Sequence, residues 1–133
     1  MKVGLAIYNL LVNDTDVNQK TTGKIYPELA PEGKAMPYIV YSVVSNSPSD
    51  TKDGAPIDEA QCEIFSVGAT YSVANDLADK VRAALDRKGV TVTDASAGDI
   101  TVQSVQYTNE ITEVSADRKT YIAVQDYTFR IKR

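Results

Sequence analysis

The hydrophobic positions change their spacing along the chain, and those changes divide it into elements. Val3, Ile7, Leu10 and Leu11, with Ala6 on the same side, repeat at helical intervals. They predict a short amphipathic helix over residues 3–13, widened by Leu5, Tyr8 and Val12 and stopped at Asn13-Asp14. Residues 14–24 are polar, rich in Thr, Asn and Asp, and read as a loop. Ile25-Tyr26-Pro27 is strand-like but short. Pro27, Pro31, Gly33 and Pro37 then exclude a helix and leave an extended connector. After Pro37 the chain becomes almost continuously β-branched and aromatic to Ser45, the mark of a strand. Tyr38, Val40, Ser42 and Val44 fall on one face of it, and Ile39, Tyr41 and Val43 on the other. Both faces are largely apolar, so both need cover. Part of that cover must come from more of this chain or from another subunit.

Residues 46–56 form a polar stretch with two prolines and a glycine, too long for a tight hairpin turn. It reads as a surface hairpin tip or as an arm that orders against a partner. Ile57–Gly68 alternates again, with Ala60, Cys62 and Ile64 on a buried side and Gln61 and Glu63 on a wetter one. Cys62 therefore reads as a small core residue. Residues 70–88 form the clearest helix. Ala74, Leu77, Ala78, Val81, Ala84 and Leu85 make its apolar stripe, Thr70 or Ser72 caps its start, and Gly89 offers a left-handed stop. Residues 90–98 read as a connector. Residues 99–114 form a strand whose apolar parity switches between Val102 and Val105, which predicts a bulge near Gln103-Ser104. Residues 115–119 make a turn, and residues 120–133 a last strand with Tyr121, Ala123, Tyr127, Phe129 and Ile131 on one side. The expected architecture is α+β and two-layered: an antiparallel sheet of four to five strands with two helices packed mainly on one face. The chain, residues 1–133, is expected to be a single domain.

Composition narrows the chemistry. Fourteen basic residues against eighteen acidic ones give a net charge of −4, which argues against a domain that grips phosphates through a basic face. There is no histidine, so the commonest general base and transition-metal ligand is missing, and Ser-His and Cys-His arrangements cannot form. The single cysteine cannot close an internal disulfide. Asp50/Asp53 and Asp58/Glu59 read as solvated loop charges, and Arg130, Lys132 and Arg133 as a solvated terminus. No segment approaches a membrane-spanning length of apolar residues, and none has the shape of a secretion signal, so cytoplasm is the default location. No catalytic residue, cofactor site or metal site is expected. Tyrosines are more conspicuous: Tyr8, Tyr38, Tyr41, Tyr71, Tyr107, Tyr121 and Tyr127 suit both core edges and subunit contacts. For contact surfaces the sequence points to the arm, through Ser47, Asp50, Lys52 and Asp53, and to the central strand, through Ile39, Tyr41 and Val43.

Two stretches carry a family resemblance. One is Ile25-Tyr26-Pro27 followed by Ala30-Pro31-Glu32-Gly33-Lys34-Ala35-Met36-Pro37-Tyr38-Ile39-Val40-Tyr41. The other is the helix containing Tyr71, Ala74, Leu77-Ala78, Val81-Arg82 and Ala84-Leu85. Together with the N-terminal Ala6-Ile7-Tyr8-Asn9-Leu10-Leu11, they make the chain resemble the tail completion, or tail-to-head joining, proteins of long-tailed bacteriophages and prophages. The resemblance spans nearly the whole chain, and its motifs are structural rather than catalytic. It implies a small non-enzymatic α+β virion protein at the head–tail interface, present in host cytoplasm during assembly. It further implies a ring, typically of six copies, that caps the tail tube and joins the head connector. Partners would be further copies of itself, the tail-tube protein and the connector or adaptor protein. Double-stranded DNA would only pass through, and no membrane is involved. Related terminators also stop tube growth. A different α+β module, binding a protein or a ligand in a pocket, is the alternative.

Overall fold

A computed structural model describes residues 2–29, 35–48, 56–87, 89–115 and 119–132. Among them are three helices and six strands: α1 (Lys2–Val12), α2 (Thr15–Thr21), β1 (Ile25–Pro27), β2 (Tyr38–Pro48), β3 (Ile57–Gly68), α3 (Tyr71–Leu85), β4 (Val90–Asp94), β5 (Gly98–Val114) and β6 (Tyr121–Lys132). The strands make one curled sheet in the order β1-β2-β3-β6-β5-β4. The expectation of two helices and four to five antiparallel strands is therefore corrected to three helices and six strands, with β1 parallel to β2.

Each extra element has a local cause. In α2, Asp14 accepts a hydrogen bond from Val17 N (3.1 Å), an N-cap that satisfies a free helix-end amide. Only Val17 and Thr21 of this helix are buried, so no stripe announces it. Lys20 lies 3.2 Å from Asp76 of α3 and links the two helices at the surface. Strand β4 fills most of the stretch read as a connector and pairs antiparallel with residues 98–102 of β5.

The anticipated features of the other strands are present. Register shifts between Val102 and Ser104 on β5, placing the bulge at Gln103; a second shift lies between Tyr107 and Asn109. Thr70 caps α3, accepting from Val73 N at 3.2 Å. Gly68 lets β3 turn into that helix, since a Cβ there would sit 2.9 Å from Ala74 N. The end of α3 differs from expectation: Arg87, not Gly89, takes the left-handed conformation (φ 62°), and its amide donates to Val105 O at 2.9 Å. Gly89 instead allows close passage beside Gln103 O, 3.0 Å from where a Cβ would lie.

All three helices share one face of the sheet, here called the inner face. Its core joins Ile7 and Leu11 of α1, Val17 of α2 and Leu77, Val81 and Leu85 of α3 to Ile39, Ile64, Val105, Tyr127 and Phe129 of the strands. Cys62 belongs to this core, as expected, and burial pushes its thiol up to about 12.

Candidate interaction surface

The inner face is held together by polar contacts as well as packing. Gln125, fully buried in mid-sheet, donates to Ala78 O of α3 (3.0 Å) and to Glu110 Oε1 (2.9 Å). Its own oxygen accepts from the Tyr127 hydroxyl at 3.1 Å. Burial raises the Tyr127 phenol well above its ordinary value, so it remains a donor. Tyr107 packs edge-on to Tyr127 and carries the Arg82 guanidinium 3.9 Å above its ring. At the far side of the sheet, Asp94 accepts from Asn9 Nδ2 of α1 (2.9 Å) and from Ser96 Oγ, Ser96 N and Ala97 N. These groups fix helices and strands to each other. Among the described residues, no group of three or more His, Cys, Asp or Glu is placed to hold a metal ion. No described helix is long and apolar enough to cross a membrane.

Among the described residues the outer face carries no helix, and it divides into two ends. Toward the loop ends of β3 and β6 it is polar. Arg130 Nη1 meets Glu59 Oε2 at 2.9 Å, and Thr128 donates to Gln61 Oε1 at 3.0 Å. Toward the other end it is apolar. Tyr38, Val40, Phe65, Val67 and Ile122 line a groove of about 260 Å³, with Glu28 and Leu29 at its rim. Leu29 stands 82% exposed there, an unusual position for a leucine, and Ile111 continues the patch on β5 at 49%.

The residues expected to make contacts are distributed unevenly. Ile39 and Tyr41 lie on the inner face, where α1 and its neighbours bury them at 0% and 7% exposure, and Val43 packs beside them. Ile39 and Tyr41 serve this chain's own core, while Val43 is only partly buried at its edge. On the outward set, Val40 and Val67 are buried at 8% and 4% and Tyr38, Phe65 and Ile122 are half-buried, so the exposed apolar side chains on that side are Leu29 and Ile111 at its margins. Ser47 is exposed near the end of β2, while Asp50, Lys52 and Asp53 lie outside the described residues. The tyrosines divide as well: Tyr127 and Tyr41 are buried, whereas Tyr71 is 60% exposed and stacks edge-on against Tyr121.

The sequence model of the family described as "Tail completion protein gp17" matches residues 5–132. The chain belongs to the tail completion protein gp17 family. That membership makes it a bacteriophage structural protein of the virion tail. A chain of the virion of a native gene transfer agent particle shares the fold, with a TM-score of 0.72 and 15% identity over 97% of this chain and 94% of that one. Among curated proteins, none matches the sequence. As part of a virion, the chain assembles with other phage structural proteins.

Proposed function

We propose that this tail completion protein is a non-enzymatic assembly factor that caps the tail tube and joins it to the head connector, acting as a closed ring of like subunits. The observation that carries the reading is the apolar groove at one end of the outer sheet face, with Leu29 at its rim 82% exposed, in a member of a tail completion family. A heterologous contact repeated around an axis closes into a ring and buries such a surface once per subunit. The six-fold count and the tube and connector as partners come from the resemblance to tail-to-head joining proteins. Ser47 and the arm residues Asp50, Lys52 and Asp53 are proposed as further contacts. A net charge of −4 accords with a channel that lets DNA pass without gripping it.

The test is made in the phage that encodes the chain. Deleting the gene should leave filled heads and finished tails unjoined in electron micrographs of the lysate, and the wild-type gene supplied in trans should restore joined particles. Leu29→Ser combined with Ile122→Ser should complement poorly although the purified protein folds. Joined, infectious particles in the deletion strain would overturn the proposal.

A further inference from the structure

The sheet has two ragged edges. Strand β1 pairs with β2 only from Ile39 to Tyr41, and the segment after it covers one more position, where Glu28 N donates to Tyr41 O at 2.8 Å. Beyond that point, Ser42–Pro48 pairs with β3 on one side and, among the described residues, makes no backbone hydrogen bond on the other. Strand β5 repeats the situation at the opposite edge. Strand β4 covers it only up to Val102, and the turn after α3 covers it up to Tyr107, through Arg87 N to Val105 O and Tyr107 N to the Asp86 carboxylate. Thr108–Val114 then pairs, among the described residues, with β6 alone. The two free stretches are equal in length, roughly 23 Å each at the usual strand rise. Unpaired strand edges of this length are templates for another strand, and natural sheets blunt them with lysine, proline or cover. Of the first stretch only its last residue, Pro48, is of this kind, and Thr108–Val114 holds no lysine and no proline, its charges being Glu110 and Glu113.

Direction and side-chain chemistry match the two edges to each other. Strands β2, β3, β6 and β5 alternate in direction, so β2 and β5 run opposite ways in one sheet. The two free stretches lie at opposite ends of the sheet, so a second copy set beside the first with its helices on the same side, and shifted along the strands, brings the free part of β5 antiparallel to that of β2, with inner face continuing inner face. Both edges carry exposed apolar side chains: Val44 at 59% on β2, and Ile111 at 49% and Val114 at 50% on β5. Where β1 stops, an open apolar groove forms beside Gly4, Leu5, Pro27, Tyr41 and Val43 on the helix side. Val114 lies on the helix side of β5, opposite Tyr121, and so points toward the side on which that groove opens.

We propose that neighbouring subunits join by strand addition, Thr108–Val114 of one copy pairing antiparallel with Ser42–Pro48 of the next. The inference rests on the ring reading above and specifies its interface. The contact is heterologous, with different edges on its two sides, and so repeats from copy to copy. It satisfies backbone groups that the isolated chain leaves to water.

Cysteine pairs test it in a Cys62→Ala background. Ser45→Cys or Ser47→Cys is combined with Ile111→Cys or Glu113→Cys, all on the outer face. Within one chain these positions are three strand spacings apart, about 14 Å, and are offset by five residues or more along the strands besides. A disulfide needs Cα atoms within about 7 Å, so any disulfide formed is between copies. Phage particles assembled with these variants are oxidised and run on non-reducing gels, beside a Ser45→Cys/Thr91→Cys control that reports pairing through β4. At least one of the four pairs should give a ladder of dimers and higher oligomers, and the control should stay monomeric. A second variant, Ile111→Lys with Val114→Lys, should melt like the wild type as an isolated chain and fail to enter particles. Rings seen by electron microscopy without cross-links at these pairs, or with cross-links only in the control, would overturn strand addition and leave the ring intact. Particles that contain the protein without any ring would overturn both.

Discussion

On β2 the inner face presents Ile39 and Tyr41, and the outer face presents Tyr38 and Val40. The residues are alike in size and polarity, yet Ile39 and Tyr41 are sealed beneath α1, whereas Val40, itself only 8% exposed, and the partly buried Tyr38 line a groove with no helix of the described residues over it. The difference lies in what is laid on top. Three helices converge on the inner side, and their apolar stripes, with the Gln125 hydrogen bonds beneath α3, make that side a closed core. Among the described residues no helix lies over the outer side at the same end, where Leu29 and Ile111 stay exposed beside the groove. Similar sequence is thus closed off by helices on one face and only partly covered on the other.

The largest effect that should separate the two faces is truncation in the core. Phe129 is fully buried on β6 beneath the helices. Phe129→Ala should cost about 3–5 kcal/mol, most of it from lost burial and the cavity left behind. Against a typical stability of about 5–15 kcal/mol, that removes much of the folded state's margin. Urea unfolding followed by circular dichroism measures it. A loss below about 1 kcal/mol would mean that the inner face is not the stabilising one.

A milder change on the other face sharpens the contrast. Phe65 is half-buried on the outer side of β3, opposite Val40 and Val124. Phe65→Ser should cost about 1 kcal/mol in folding, since only part of the ring leaves water in the isolated chain. The same variant should be strongly impaired in forming joined particles. Equal defects in folding and assembly would erase the distinction between the faces.

Much of this contrast was legible in the sequence, and the illegible part has a physical reason. Two-residue periodicity shows that a strand has two apolar faces, and residues 38–44 displayed that clearly. Periodicity carries no information about which face the helices choose: Ile39 and Tyr41, expected at contacts, lie in the core beneath the helices, and Val43 packs partly buried at its edge. The bulge at Gln103 was readable because it flips apolar parity along a long strand. Helix α2 was not, because a seven-residue helix that buries only two side chains leaves no stripe. Asp14, placed to cap it, and Lys20 in its last turn were the available signals. Strand β4 alternates Val and Thr, but its exposed residues resemble those of a connector.

The smallest expected effect concerns how the inner layer is anchored at the sheet's far edge. Asp94 Oδ2 accepts from Ser96 Oγ at 2.7 Å and from the amides of Ser96 and Ala97, while Oδ1 accepts from Asn9 of α1. The Ser96 hydroxyl first, then the Asn9 amide, hold this carboxyl well below the usual carboxylate range. A depressed folded-state value means that the charged form is the one the fold stabilises. The contribution is complete above the unfolded value of about 4 and is lost as pH falls through the folded value in strong acid. Asp94→Asn should therefore melt slightly below the wild type at pH 7, by less than Phe65→Ser. That gap should narrow steadily as pH is lowered from 4 toward 2, because the wild type alone loses the charge. Comparing the two proteins at each pH cancels the titration of the other carboxylates. A gap that stayed constant across that range would show that the side chain's shape, rather than its charge, ties α1 to the β4 hairpin.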